Sequence, residues 1–501
     1  MFQDRRELWL FLGSSALGLW LALSMPVFAQ ESYYWAYSQH PDLSYFDHPP
    51  MVAWFIWLGG QVFGDGAIGI RALTWLSGCA VVWVGHRLLM DFGATARARR
   101  AWLVLACCVP TVAAAHFLAN PDPPLACFWM LTLLALWRAR SGHLGWWALA
   151  GLMAGGALLS KYTAVFLAAG GVLVLLFDPA MRRQWLRPGP WLGVGVAAVT
   201  FLPVVWWNVA NDFESFRFQT SGRWDKASFG VTWFGEFVGG QLLVLGPVVA
   251  LVLPTVLWWL WRRGRQADVR ATWLLAFGAP LLVFLCGSSL FVQVKMNWLM
   301  PAALALLLGT ALWWGESGVD LRHPQWARRL RALALAPLLL MPLAPAIELV
   351  PQRAGTSWTG WDEIAASAAH WEAVIDEPDG VEGNVFFFAT NYRDSAQLAR
   401  HLKLYCAVAE PDEVVEPTLA QNVVGEQALQ FDHWSPPQAR IGQDAIFVLP
   451  RPEQRHRFVD LVAARFRSVE RVDSVHVRRL GIEVMTADVF VCREYRGPRA
   501  G

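Results

Sequence analysis

Between positions 30 and 50 the chain reads Gln-Glu-Ser-Tyr-Tyr-Trp-Ala-Tyr-Ser-Gln-His-Pro-Asp-Leu-Ser-Tyr-Phe-Asp-His-Pro-Pro. The stretch holds Glu31, Asp42, Asp47, His40 and His48 and carries no lysine or arginine. Carboxylates and imidazoles gathered this way suit proton transfer or a divalent cation. Asp47 and His48 are the metal candidates, although two adjacent ligands chelate poorly. The interleaved aromatics suit stacking on a sugar or anchoring at headgroup level, and a solvated interfacial loop is the plain alternative. A second carboxylate, Asp122, sits in Asn120-Pro121-Asp122-Pro123-Pro124 at the head of an apolar run, where the helix macrodipole favours an acid in any case. Three further stretches carry cations or amides beside apolar runs: Ser160-Lys161-Tyr162-Thr163, Trp207-Asn208 through Arg217, and Lys295-Met296-Asn297-Trp298. Cations so placed suit a lipid phosphate, or simply snorkel to the headgroups.

These groups need a scaffold, and the composition states its kind. The chain has 501 residues, 55% hydrophobic and 16% charged, with 30 Trp. Typical soluble domains carry about 25% charged residues. This much apolar content excludes disorder, and a net charge of +2 gives no case for nucleic-acid binding. Charge is divided unevenly, +8 over residues 1–350 and −6 over residues 351–501. Two domains are expected: a membrane part over 1–350, with loops 30–65 and 208–240 on one side, and a soluble α/β part over 351–501.

Eleven apolar runs approach the length of a membrane span: 8–29, 66–90, 100–118, 123–138, 143–160, 162–177, 190–208, 240–261, 270–290, 298–315 and 330–349. Met51–Phe63 is too short to span, and with 228–239 it is expected in the interface. Alternate connecting segments hold most of the arginines, among them Arg5, Arg6, Arg97, Arg99, Arg100, Arg182, Arg183, Arg262, Arg263 and Arg322. The opposite set holds only Lys161, Arg217, Arg223, Lys226 and Lys295. The positive-inside rule then puts the N-terminus in the cytoplasm and the tail outside it. Pro26-Val27-Phe28-Ala29-Gln30 resembles a signal-peptide cleavage site, and an uncleaved first helix is the reading preferred. In the tail, Val385–Ala389, Ala445–Leu449, Val475–Arg479 and Glu483–Cys492 read as strands, Asp394–Leu402 and Pro452–Phe466 as helices. Cys406 and Cys492 are a candidate disulfide in an extracytoplasmic tail; the other five cysteines lie in apolar runs.

The ordered set Glu31-Ser-Tyr-Tyr34-Trp, Tyr45-Phe46-Asp47-His48-Pro49-Pro50, Phe63-Gly64-Asp65, Arg71, Pro121-Asp122, Ser160-Lys161-Tyr162-Thr163, Pro203 through Asn208, and Asn297-Trp298 resembles the bacterial polyprenyl-phosphate-sugar-dependent glycosyltransferases. These belong to the GT-C group with aminoarabinose transferase and the protein O-mannosyltransferases. The resemblance covers about residues 1–310; the tail matches through Asn391-Tyr392 and Phe431-Asp432-His433-Trp434. It implies a multi-pass α-helical membrane protein of the GT-C fold with about 11–13 transmembrane helices and a small C-terminal α/β domain. It also implies transfer of a sugar, with inversion, from a polyprenyl monophosphate at the periplasmic face of the bacterial inner membrane, onto a glycolipid, glycan or protein.

In the resembled family an acidic pair opens the first outer loop, its first member being the usual catalytic aspartate. Here Gln30 stands there, followed by Glu31, so the acid falls to Glu31, Asp47 or Asp122. Asn211 stands where relatives often carry His, and His48 where aminoarabinose transferases carry Lys. Tyr34, His48, Arg71, Lys161, Tyr162, Asn208, Arg217, Lys295 and Asn297 are the residues expected at donor phosphate and sugar. No cofactor is firmly implied; a divalent metal at Asp47 and His48 stays open. Rival readings are a lipid-linked-glycan flippase or transporter, an inactive GT-C-like scaffold, and a polymerase or ligase using a diphosphate-linked glycan. Against transport stand the absence of internal repeats and of mid-membrane charge.

Overall fold

The computed structural model describes residues 2–225, 227–317, 325–352, 358–376, 384–409 and 416–498. Lys226 and Arg322, used in the orientation argument, lie outside them. The chain divides into two compact units: Met1–Leu23, Asp42–Phe55 and Arg71–Leu343 form the first, and Ser24–Pro41, Ile56–Ile70 and Ala344–Gly501 the second.

The first unit is helical, as its apolar runs demand: with no water to satisfy the backbone, each buried run must close its own hydrogen bonds. Arg5–Ser24, Ala67–Asp91, Pro188–Ala210, Val269–Ser288 and Met296–Glu316 are long and apolar enough to cross a membrane. Thr232–Val244 and Pro247–Arg265 reach that length and apolar character only as a pair, bent by 109°, a broken span or a re-entrant loop. The bend falls at Leu245–Gly246, where Gly246 takes φ +77° and Pro247 opens the next helix. Leu144–Ser160 and Tyr162–Phe177 are shorter apolar helices. The run expected at 100–118 is broken into Ala96–Cys108 and Pro110–Ala114, because Pro110 has no amide to continue the ladder. The run at 330–349 is Gln325–Leu340 followed by a 3₁₀ segment, Met341–Leu349, with Pro337 and Pro345 inside. Met51–Phe63 is a helix of 13 residues.

Helix contacts here rest on small residues. A Cβ on Gly151 of Leu144–Ser160 would lie 2.2 Å from the Gly193 carbonyl oxygen of Pro188–Ala210, and one on Gly155 would meet Thr200 at 2.4 Å. The same helix faces Phe128 of Asp122–Ala139 at Gly156. Backbone cannot retreat as a side chain can. Gly151→Ala is therefore expected to lower stability by about 1–3 kcal/mol, whereas Gly171→Ala, with nothing within 4 Å, is expected to be neutral or better. Thermal unfolding in detergent checks the pair.

The second unit is built on a five-stranded sheet with strands β1 (Val385–Ala389), β2 (Thr418–Leu419), β3 (Asp444–Pro450), β4 (Phe466–Arg479) and β5 (Ile482–Tyr495), in the order β2-β1-β3-β5-β4. β1 pairs in parallel with β2 and β3; β5 runs antiparallel to β3 and β4. The central strands are buried on both faces. Val385, Phe387, Ile446, Val448, Val489 and Val491 face one core with the helices Trp361–Asp376 and Tyr392–Ala409. Phe386, Phe388, Phe447, Phe490 and Cys492 face the other, with Pro452–Ala463. The helix expected over 452–466 ends at Ala463, and Phe466 already begins β4.

The candidate disulfide is not formed: Cys406 and Cys492 are both buried and unbridged to one another. Side-chain alternation explains it. Cys492 points into the core opposite the one that Leu398 and Leu402 of Tyr392–Ala409 enter, and Cys406 rides on that helix.

Candidate active site

In the first unit, one carboxylate gathers three helix ends. Asn120 bonds through its side-chain oxygen to the Asp122 amide at 2.8 Å, an Asx turn that starts the helix Asp122–Ala139. Pro123 and Pro124 follow in the first turn, where their missing amides cost nothing. Asp122 Oδ1 accepts from Lys161 Nζ at 2.6 Å, and Oδ2 accepts from Asn297 Nδ2 at 2.6 Å. Asp122 and Lys161 are buried. Lys161 is the extended residue between Leu144–Ser160 and the 3₁₀ turn Tyr162–Val165. Asn297 lies in the 3₁₀ turn Met296–Leu299 that leads into Met300–Glu316. An ammonium has three N–H donors; Asp122 takes one of them.

A second cluster surrounds the segment 42–50. Asp42 Oδ2 accepts from Trp207 Nε1 at 2.9 Å, and the Asp42 carbonyl from Trp54 Nε1 at 3.0 Å. The Asp47 carbonyl accepts from Gln219 Nε2 at 2.6 Å, while its carboxylate is buried and close enough to act electrostatically on Tyr162. Tyr162 and Ser215 share a hydrogen bond of 2.7 Å. Asn208, fully buried, donates to the Val204 carbonyl and accepts from the Phe216 amide. It thereby ties the turn after Pro188–Ala210, where Asp212 and Phe213 take φ +49° and +58°. Arg217 is exposed and donates to the Asp212 carbonyl. Lys295 is exposed at the head of its 3₁₀ turn.

Arg71 is fully buried, with Nη1 donating to the Ala22 carbonyl at 3.0 Å. That is one of the end carbonyls of Arg5–Ser24 that lack an intrahelical partner. Asp47 and His48 stay an adjacent pair: among the described residues no group of three His, Cys, Asp or Glu side chains comes together.

Glu31 and Tyr34 belong to the second unit, on the helix Ala29–Gln39. Glu31 is fully buried, and its Oε2 accepts from the Phe28 amide at 3.0 Å, the reach-back half of a capping box. Its neighbours hold the helix to Tyr392–Ala409. Gln30 Oε1 accepts from Arg393 Nε at 3.0 Å, and Ser32 Oγ donates to Gln397 Oε1 at 2.7 Å. Gln397 Nε2 in turn donates to the Val27 carbonyl at 2.9 Å. Asp65, from the Gly64-Asp65 motif, takes Trp35 Nε1 at 2.7 Å and Lys403 Nζ at 2.9 Å. Tyr34 is buried, edge-on to Tyr37 at 5.5 Å.

Of the residues expected from sequence, Asp122, Lys161 and Asn297 are joined directly, and Asp47, Tyr162 and Asn208 share one neighbourhood. Ser215, Gln219, Arg393 and Gln397 were not singled out. Ser215 and Gln219 lie inside a stretch the sequence marks as unusual; nothing in the sequence points to Gln397.

Burial and the Arg400 guanidinium push the His401 imidazole down to about 4; its Nδ1 meets the Gln397 carbonyl at 2.8 Å. The unfolded chain, with an ordinary value near 6.5, then binds more protons than the folded unit between pH 6.5 and 4. Stability from this group is complete above pH 6.5 and falls as pH drops through that window, by at most about 3 kcal/mol. His401→Gln should flatten the pH dependence of unfolding there. A second check concerns Asp122. Lys161→Met leaves a buried carboxylate without its cation and should cost about 3–5 kcal/mol, while Asp122→Leu with Lys161→Met should cost less than Lys161→Met alone. Additive losses in thermal unfolding would count against a coupled pair.

Residues 47–207 match the family model described as dolichyl-phosphate-mannose-protein mannosyltransferase. The lipid A galacturonosyltransferase RgtD of Rhizobium johnstonii is 31% identical over 339 residues, 63% of this chain and 66% of that protein. The undecaprenyl phosphate-alpha-4-amino-4-deoxy-L-arabinose arabinosyl transferase 1 of Pseudomonas fluorescens is 28% identical over 292 residues, 54% of this chain and 49% of that protein. The chain thus matches between about half and just under two thirds of the length of these curated relatives. In fold it is similar to the crystal structure of ArnT from Cupriavidus metallidurans in the apo state, with a TM-score of 0.62 at 17% identity, over 96% of this chain and 97% of that one.

Proposed function

We propose that this chain, a multi-pass membrane protein that belongs to the GT-C superfamily, is an inverting glycosyltransferase that takes a sugar from a polyprenyl monophosphate carrier. The acceptor we favour is a lipid A-type glycolipid, by analogy with the relatives' names. The orientation that goes with it has the N-terminus in the cytoplasm and the C-terminal unit in the periplasm of the bacterial inner membrane.

The observation that carries this reading is the buried Asp122–Lys161 ion pair, joined by the half-buried Asn297, where three apolar helices end. A polyprenyl phosphate leaves as a phosphate dianion when its bond to the anomeric carbon breaks, so the site must supply positive charge where that charge develops. Asp122 fixes the Lys161 ammonium in place and leaves N–H donors for a phosphate oxygen. Arg217 and Lys295, both exposed, are the cations proposed to complete the neutralisation. A carboxylate must take the proton from the attacking acceptor hydroxyl. Glu31 and Asp47 are proposed for this, ahead of Asp122, whose two oxygens already serve Lys161 and Asn297. Attack from the face opposite the phosphate inverts the anomeric centre. Tyr34, His48, Arg71, Tyr162, Asn208 and Asn297 are proposed to position donor sugar and phosphate, and no step is routed through a metal.

The test is mass spectrometry of lipid A and of the other envelope glycans from cells with and without the gene, complemented by wild type, Glu31→Gln or Asp47→Asn. A sugar-sized mass on lipid A that vanishes on deletion and returns only with wild type is expected. An unchanged lipid A fraction would reject the acceptor. A product formed equally by both variants would reject the assigned acids.

A further inference from the structure

The β4–β5 hairpin ends in an arrangement that water does not reward. Arg479 pairs with Ile482, so the loop between them is the two residues Leu480 and Gly481. Both take left-handed backbone, φ +48° and +81°. Such a two-residue turn favours Asn or Asp followed by Gly, because a Cβ at the first position crowds the backbone. Here that first position holds leucine, 87% exposed, and Ile482 beside it is 48% exposed. A lone exposed leucine means nothing by itself. A leucine in a conformation that disfavours it, at the outermost point of a hairpin and next to a second apolar side chain, asks for an apolar surrounding.

We infer that this tip is a membrane-contacting surface, with Leu480 and Ile482 seated in the headgroup region of a bilayer. Two independent features select a bilayer over other cover. The first is the pairing of charge beside the turn: Glu483 is met by His476 at 3.2 Å and by Arg478 at 4.0 Å, and Arg479 by Glu363 at 2.6 Å. Paired charges flanking an apolar tip suit a zone where headgroups lie above acyl chains. The second is continuity within the C-terminal unit. Gln352, just past the end of the apolar 3₁₀ segment Met341–Leu349, donates its amide to the Val484 carbonyl at 2.9 Å. The Arg451 guanidinium donates to the same carbonyl. Trp358 Nε1 reaches back to the Ile347 carbonyl at 3.3 Å. The tip is thus fastened beside the point where the chain leaves its last apolar segment. Two side chains are far too little surface for a stable dimer, which needs about 800 Å² per partner.

The test uses the full chain in vesicles of phosphatidylethanolamine and phosphatidylglycerol. Leu480→Cys and Arg467→Cys each take an environment-sensitive fluorophore, with the protein lacking either substitution labelled in parallel as background. Arg467 lies at the other end of the same hairpin, roughly 40 Å away at about 3.3 Å per residue. The expected result is emission at 480 shifted to the blue, quenched at least twofold by lipids spin-labelled near the headgroup, and insensitive to aqueous iodide. The probe at 467 should show the reverse. Iodide quenching at 480 without lipid quenching would overturn the inference. A blue-shifted probe shielded from both quenchers would overturn it too, in favour of a second copy or another segment of this chain.

Discussion

A carboxylate buried among apolar helices cannot stand alone. Taking an unpaired charge out of water costs more than a domain's whole margin of stability. Asp122 is therefore a constraint on the entire first unit: it obliges Lys161 and Asn297, distant in sequence, to arrive at one point. Each arrives from a break. Asp122 follows an Asx turn and precedes two prolines, and Lys161 is an extended residue between two helices. Asn297 lies in a 3₁₀ turn before another helix. Irregular backbone buried among helices survives only where its polar groups find partners. The polar knot and the helix breaks explain each other. The small residues at Gly151, Gly155 and Gly156 let the neighbouring helices close around them.

The parts of the molecule visible in sequence are those whose signal is local. Apolar runs at membrane length gave the helices, because hydropathy needs no partner. Short continuous apolar runs marked β1 and β3 to within one residue at each end. The extension of β4 back to Phe466 was not legible: Arg467, Glu470 and Arg471 are polar residues on the outermost strand, held by pairing to β5 rather than by burial. Pro110 and Pro345 were in plain view, yet long apolar windows smooth over a single missing amide.

For the site, residue type and position beside an apolar run were enough to mark Asp122, Lys161 and Asn297. Their meeting was not readable from one chain, since no local rule links positions so far apart. Glu31 shows the opposite limit. Its burial and its bond to the Phe28 amide are those of a helix-capping residue, so its type alone left two roles open. Gln30 is clearer. Where the resembled family carries an acid, this chain has an amide that accepts from Arg393, a contact between the first loop's helix and the helix Tyr392–Ala409.

That contact is one of several with an unusual history. Ser32 and Gln397, joined at 2.7 Å, are separated by 365 residues. The helix Ala29–Gln39 leaves the ribosome before its partner Tyr392–Ala409, with most of the first unit made between them. Throughout that interval the tyrosines and Glu31 of the first loop lack the surface that buries them. The second unit can close only after Tyr392–Ala409 has been made, and that helix made without the first loop would present Gln397 and Arg393 to solvent with nothing to hold. Ordering of the Glu31 helix thus waits for Tyr392–Ala409, which ties the appearance of that carboxylate in its final place to a helix made long after it.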